Sequence, residues 1–200
     1  MTECGPLLAY SRWDLFKQRS CGRVVDRMQL TIDSLEPTKQ VGEILVKGDN
    51  LLLGYYKNPE ATAATLRDGW YHTGDLGIMD ADGFLYIRGR SKNMLLGASG
   101  QNIYPEEIEA KLNNLPFVME SLVMEKDGKL YGLVYPDYEA VDTAGISNAE
   151  LEAAMEDNRK ELNSQVASYE GISKIMLYPN EFEKTPKKSI KRYLYTNLPV

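Results

Sequence analysis

Apolar and polar residues alternate first at Met28, Leu30 and Ile32, with Gln29, Thr31 and Asp33 between them. A period of two predicts a half-buried strand. Residues 41–47 give a second strand, bounded by Gly48, Asp49 and Asn50. Asn58, Pro59 and Glu60 then read as a helix start: a capping amide, a proline at the first position and an acid next. That helix runs to about Leu66 and is broken by Arg67, Asp68, Gly69 and Trp70. Residues 77–80 and 84–88 face each other across Asp80, Ala81, Asp82 and Gly83, a hairpin signal. The residues between Glu3 and Cys21 carry no period and read as irregular. Everything up to Gly89 is therefore expected to be mostly β.

Past Gly89 the pattern changes to mixed α and β. Met94, Leu95 and Leu96 make a short apolar strand, and residues 97–102 a Gly/Ser/Asn loop. Pro105 opens a helix with Glu106 and Glu107 in its first turn; Ile108, Leu112 and Leu115 repeat at helical spacing. Glu107 and Lys111 stand one turn apart, as an ion pair would. Strands follow at 118–125 and 129–135, joined by Lys126, Asp127 and Gly128, and residues 137–145 read as a loop. Ser147 and Glu150 spell a capping box. Leu151, Met155, Leu162, Val166 and Tyr169 supply the stripe of a long helix, and residues 172–178 a third strand. Thr185 and Pro186 look like the start of a terminal helix with Ile190 and Leu194 facing inward. The fold class is mixed: a mostly-β first part, then a small α+β domain with a short sheet flanked by helices.

A chain of 200 residues, 43% hydrophobic, can bury a real core in one or two domains. Its formal net charge of −6 argues against nucleic acid as a partner. Lys184, Lys187, Lys188, Lys191 and Arg192 nevertheless form a local basic patch suited to phosphate; a solvated helix face is the plainer alternative. Cys4 and Cys21 lack metal-ligand spacing and fit reduced thiols in a cytoplasmic protein. No stretch approaches the roughly 20 apolar residues of a membrane span. Peripheral membrane contact stays open.

The most specific motif is Gly89-Arg90-Ser91-Lys92, followed by Gly100-Gln101-Asn102-Ile103-Tyr104-Pro105-Glu106-Glu107-Ile108-Glu109. By composition alone this is a basic linker running into a strand, a turn and a helix. As a motif it closely resembles the hinge and following loop of the adenylate-forming acyl-CoA synthetase superfamily. Tyr71-His72-Thr73-Gly74-Asp75-Leu76 and the initial Thr2-Glu3 match two further motifs of that family. The resemblance runs over essentially the whole chain, and its long-chain fatty acid–CoA ligase branch is the nearest in the segment from Thr185 to Arg192. It implies that residues 1–89 end a large domain with a distorted barrel, that residues 90–93 are a hinge, and that residues 94–200 are a mobile domain. The family's phosphate-binding loop has no counterpart here, so the chain is expected to be the C-terminal part of a longer enzyme, inactive without the missing N-terminal domain.

The residues can be read singly. Asp75, in a tight turn, can accept two hydrogen bonds from a vicinal diol; the resemblance implies the ribose of ATP, and the plainer reading is a turn-stabilising carboxylate. Arg90 carries a fixed planar charge suited to ribose or phosphate oxygens. By resemblance Thr2 touches the adenylate phosphate and Glu3 ligates Mg²⁺, a hard cation content with one carboxylate plus nucleotide oxygens. At the chain's start this pair is expected to be disordered. Lys92 falls at the family's hinge position, where a polar residue lets the backbone turn while its side chain stays in water. Gly100 matches the glycine lining the channel for the pantetheine of CoA, and would equally permit a tight turn. His72, the single histidine, has no companion acid in sequence and reads as structural.

One position departs from the family. Its adenylation lysine stands three residues before a basic residue, and counting back from Arg192 gives Ser189. A hydroxyl carries no charge. Lys188 substitutes for it only if the segment before Ile190 is a loop, as Pro186 allows; on a helix Lys188 and Lys191 would point about 100° and about 200° away. The implied reaction joins a carboxylate, such as a fatty acid, to the α-phosphate of ATP and then passes the acyl group to CoA. Loading of an acyl-carrier protein, or a non-catalytic module that binds CoA or a partner, are the alternatives.

Overall fold

The structure is a computed structural model and describes residues 1–5, 7–97, 100–196 and 198. The chain divides into two compact units, Met1–Lys92 and Asn93–Val200.

The first unit is built on an antiparallel sheet. Strands β1 (Ala9–Tyr10) and β2 (Arg23–Val24) pair as a small ribbon, followed by β3 (Met28–Asp33) and β4 (Gly42–Gly48). Helix α1 (Pro59–Thr65) leads into β5 (Leu66–Arg67), then the long β6 (Trp70–Met79) and β7 (Leu85–Arg90). In the five-stranded sheet β3, β4 and β6 lie in that order, and β5 and β7 each pair with β6. Among the described residues the sheet does not close into a barrel. Ile44 and Val46 alternate inward from β4 and meet Ile32, Tyr71, Leu85 and Cys4 in one core. Asn58 caps α1, its Oδ1 accepting from the Ala61 N–H at 3.0 Å.

Two differences from the sequence reading stand out here. Thr2–Cys4 is an ordered 3₁₀ turn, because Cys4 is wholly buried and Asn50 donates to its carbonyl at 2.6 Å. The segment before Cys21 holds β1, which is possible because Gly22 lies flush against the Tyr10 backbone: a Cβ there would fall 2.0 Å from it.

In the second unit, β8 (Leu95–Leu96) and β9 (Asn102–Ile103) pair antiparallel before helix α2 (Pro105–Leu112). Then come β10 (Val118–Lys126), β11 (Lys129–Pro136), α3 (Tyr138–Ala144), α4 (Asn148–Gln165) and β12 (Ile172–Leu177). β10 and β11 form a hairpin, and β12 adds parallel to β11. Ile108 and Leu112 of α2 and Leu151, Met155 and Leu162 of α4 pack with Val123, Val134 and Ile172 in one core. Leu122, Met124 and Leu133, alternate residues of the same strands, instead join a second cluster with Phe182 and Tyr195. The terminal segment thus supplies that cluster's two buried aromatic residues.

Three expectations fail in this unit. Residues 137–145 hold helix α3, capped at one end by Asp137 and closed at the other by Gly145 at φ +66°. A single inward residue, Val141, gave no period to read. The long helix ends at Gln165, so Val166 and the exposed Tyr169 fall beyond it. Among the described residues the segment from Thr185 does not form an α-helix: Lys184 bridges Ile190, Lys188 has φ +61°, and a 3₁₀ turn, Arg192–Leu194, follows. Leu194 is accordingly exposed.

Candidate functional site

The hairpin of β6 and β7 closes on Asp80. Its Oδ1 accepts from the N–H groups of Asp82 and Phe84 at 3.0 and 2.9 Å, and its Oδ2 lies 2.6 Å from the Lys17 ammonium. That ammonium holds the Asp80 carboxyl down to about 2 and is itself pushed up by Asp80 and Asp82. With the turn fixed, the ladder sets Asp75 opposite Arg90. Arg90 Nε stands 2.8 Å from Asp75 Oδ1, and its Nη1 donates to the Thr73 carbonyl at 3.2 Å. The structure brings these two sequence-predicted residues together within the first unit.

Asp75 does not sit in the tight turn the sequence suggested: it lies within β6, where the ladder to β4 is irregular and the backbone is tightly bonded. Gly74 has φ +69°, the left-handed region that suits glycine, and its N–H donates to Glu43 Oε1 at 2.8 Å. Thr73 Oγ1 donates to the Ile44 carbonyl and accepts from the Asp75 N–H. Asp75 is thereby aimed by backbone held on both sides. Glu43, on β4, is a residue that sequence reasoning missed. Its Oε2 also lies 2.9 Å from His72 Nδ1, which Arg67 approaches at 2.7 Å. His72 therefore does have an acid companion, and the arrangement is a packed brace between strands. No sequence spacing could reveal it, because β4 and β6 are brought together only by the sheet.

Thr2 is exposed and Glu3 half-buried in the same unit. Burial, the hydroxyl of Tyr55 and then the charge of Glu3 push the Tyr71 phenol up, and the Glu3 carbonyl accepts the Leu52 N–H at 2.9 Å. Lys92 is exposed in the 3₁₀ turn Ser91–Asn93, where the division between the units falls.

Gly100, Lys188 and Ser189 belong to the second unit, on separate loops. Gly100 has φ +84°, donates to the Gly97 carbonyl at 2.9 Å, and would meet nothing within 4 Å if it bore a Cβ. Backbone conformation, within this unit, is what requires glycine. Its neighbours Ala98 and Ser99 lie outside the described residues.

Lys188 and Ser189 are exposed at the tip of a loop closed by Thr185, whose N–H donates to the Ser189 carbonyl at 2.8 Å. The other lysines are engaged. Lys184 Nζ is 2.8 Å from Glu120, and Lys191 Nζ is 3.1 Å from Glu183. Each carboxylate pushes its lysine up. Lys111, expected to pair with Glu107, donates to the Gln165 carbonyl at 2.7 Å.

Glu109 and Arg192 form a buried pair that the sequence did not disclose. Arg192 Nη1 donates to both Glu109 oxygens, at 2.7 and 3.0 Å. Burial pushes the Glu109 carboxyl up, against the downward pull of Arg192 and of the Val123 N–H. Among the described residues no three His, Cys, Asp or Glu side chains gather as a metal cluster would, and no helix is long and apolar enough to cross a membrane.

An open β-sheet whose Thr73-Gly74-Asp75 segment faces an arginine, followed along the chain by a mixed α+β unit, defines a structural class that known proteins share. Residues 92–197 match the model of the AMP-binding enzyme C-terminal domain. Over 123 residues the chain is 42% identical to the 2-succinylbenzoate–CoA ligase of Bacillus cytotoxicus, covering 60% of this chain and 25% of that protein. It is 40% identical over 125 residues to a long-chain-fatty-acid–CoA ligase of Escherichia coli O6:H1, covering 60% and 22%. The crystal structure of the anthranilate CoA ligase AuaEII in complex with anthranoyl-AMP matches 97% of this chain and 36% of that one, with a TM-score of 0.80 and 26% identity. The chain belongs to the AMP-binding enzyme C-terminal domain family. It spans about a quarter or less of the length of these two curated relatives.

Proposed function

We propose that the chain is the carboxy-terminal part of an AMP-forming ligase that activates a fatty acid and transfers it to CoA. The observation that carries this reading is the Asp75–Arg90 juxtaposition, 2.8 Å apart across paired strands. A carboxylate beside a planar cation, register partners across a hairpin, suits the ribose hydroxyls and the neighbouring phosphate of a nucleotide. The fatty-acid substrate is favoured by the E. coli relative, whose name specifies long-chain fatty acids. The cytoplasm is the compartment that the two free cysteines suit.

The reaction divides into two displacements. An oxygen of the substrate carboxylate attacks the α-phosphorus of ATP, the bond to the bridging oxygen breaks, and pyrophosphate leaves. The CoA sulfur then attacks the acyl carbon of the acyl-adenylate and AMP departs with the bonding pair. In the first step Asp75 and Arg90 orient the nucleotide, Thr2 contacts its phosphate, and the Lys188 ammonium stabilises charge growing on the phosphoryl oxygens. Ser189 is a bystander. Glu3 would hold Mg²⁺ through a carboxylate oxygen, and the ion would supply positive charge to the triphosphate. In the second step the loop at Gly100 admits the pantetheine arm. Lys92 is the hinge at which the second unit turns between the two steps, since one arrangement cannot serve both transition states.

The test uses the full-length enzyme that contains this chain. Incubated with ATP, Mg²⁺, CoA and a series of carboxylates, it is expected to release AMP and form an acyl-CoA thioester, fastest with fatty acids. Transfer to an acyl-carrier protein in place of CoA, or no AMP with any carboxylate, contradicts the reading.

A further inference from the structure

The loop that bears Lys188 is fastened to one strand at both of its ends. β10 is the edge of its sheet, with β11 on its other side. On the open edge Glu109 Oε1 accepts the Val123 N–H at 2.6 Å, and Arg192 Nη2 donates to the Val123 carbonyl at 2.7 Å. The ion pair occupies the place of a next strand and satisfies both backbone groups. Its side chains are only 11% and 19% exposed. Nearer the start of β10, Glu120 holds Lys184 at 2.8 Å. Lys184 and Arg192 thus stand on the two sides of the loop, each tied to β10 or its bonding partner.

The rings reinforce these feet. Phe182 and Tyr195, which bracket the loop in sequence, are 3% and 4% exposed and meet edge to face at 5.2 Å between centroids. The Tyr195 hydroxyl accepts the Glu183 N–H at 2.7 Å. Between the feet, Lys184 bridges Ile190, and Lys188 turns at φ +61° into solvent. An exposed lysine loses far more freedom than this when it must meet a fixed phosphate, so a rigid base under it lowers the ordering cost at the moment of reaction.

We propose that Arg192 with Glu109, and Lys184 with Glu120, are positioning residues that hold the Lys188 loop in place for adenylation. This rests on the reading of Lys188 as the cation of that step. Arginine is needed at position 192 because one planar guanidinium reaches three acceptors, two on Glu109 and one on Val123. A lysine there keeps the charge and loses the fork.

The experiment is a double-mutant cycle in the full-length enzyme, read as carboxylate-dependent pyrophosphate exchange and, separately, as thioester formation from supplied acyl-adenylate. Arg192→Lys is expected to lower kcat for adenylation about tenfold with KM for ATP unchanged, and to leave the thioester step intact. In a Lys188→Ala background the same substitution is expected to cost nothing further. Glu120→Gln, at the more exposed foot, is expected to give the same non-additive pattern on a smaller scale, and it decides the question should Arg192→Lys fail to fold. Additive losses, or full adenylation by folded Arg192→Lys and by Glu120→Gln, overturn the inference while Lys188 keeps its role. A silent Lys188→Ala overturns that role, and the inference with it.

Discussion

Arg90 Nε lies 2.8 Å from Asp75 Oδ1, and the two residues are register partners across β6 and β7. The hairpin that pairs them is pinned at its far end by Asp80. Geometry at the candidate nucleotide site therefore depends on a turn at the opposite end of the strands. Arg90→Met is expected to raise KM for ATP in the full-length enzyme about tenfold, the worth of one charge-assisted contact of about 1.4 kcal/mol or more. Arg90→Lys should recover part of it. Steady-state kinetics with varied ATP check this, and an unchanged KM for Arg90→Met would remove Arg90 from the site.

The Asp80 carboxyl, held at about 2 by Lys17 and by the turn N–H groups, makes the first unit acid-sensitive in a defined window. An ordinary aspartate titrates near about 3.9. Because the folded value is the lower one, the stabilisation is fully present above about pH 4 and is lost as pH falls toward about 2. Asp80→Asn should lower the melting temperature of the chain by roughly 2–4 °C at pH 6 and flatten its acid dependence. A melting curve for Asp80→Asn that falls as steeply below pH 4 as that of the parent would assign the acid sensitivity elsewhere.

Lys92 marks the division between the two units, on an exposed 3₁₀ turn. Lys92→Pro fixes φ near about −65°. In the full-length enzyme it should leave adenylation near the parent rate and slow thioester formation at least about tenfold. Equal slowing of both half-reactions would argue against a hinge at this residue.

At Gly100 the backbone sits at φ +84° with open space where a Cβ would project. Gly100→Ala should cost about 1–2 kcal/mol from left-handed strain. Denaturant unfolding of the chain measures it, and no loss would show that the loop relaxes around the new side chain.

Much of this molecule was legible because its signals are local. Met28, Leu30 and Ile32 alternate where β3 stands, Asn58 and Pro59 open α1, and the Ser147–Glu150 box opens α4. The acyl-CoA synthetase motifs identified the family. What stayed hidden depends on distance in sequence. Glu43 reaches Gly74 and His72 only through the sheet, and Glu109 meets Arg192 only after the terminal segment folds back over β10. The terminal helix was misread because Thr185-Pro186 also starts a turn. Long-range contacts of Lys184 with Glu120, and of Phe182 and Tyr195 with the β10–β11 cluster, which the local pattern does not encode, decide for the turn.

We propose that Asp75, with Arg90, orients ATP for adenylation, and pyrophosphate exchange in the full-length enzyme tests this. The parent enzyme should exchange labelled pyrophosphate into ATP only when a carboxylate substrate is present. Asp75→Ala should lower kcat/KM for ATP by about 10², whereas Asp82→Ala, at the hairpin's exposed turn, should stay within about twofold of the parent. Exchange by Asp75→Ala at the parent rate, or no exchange by the parent enzyme with any carboxylate, would contradict the account.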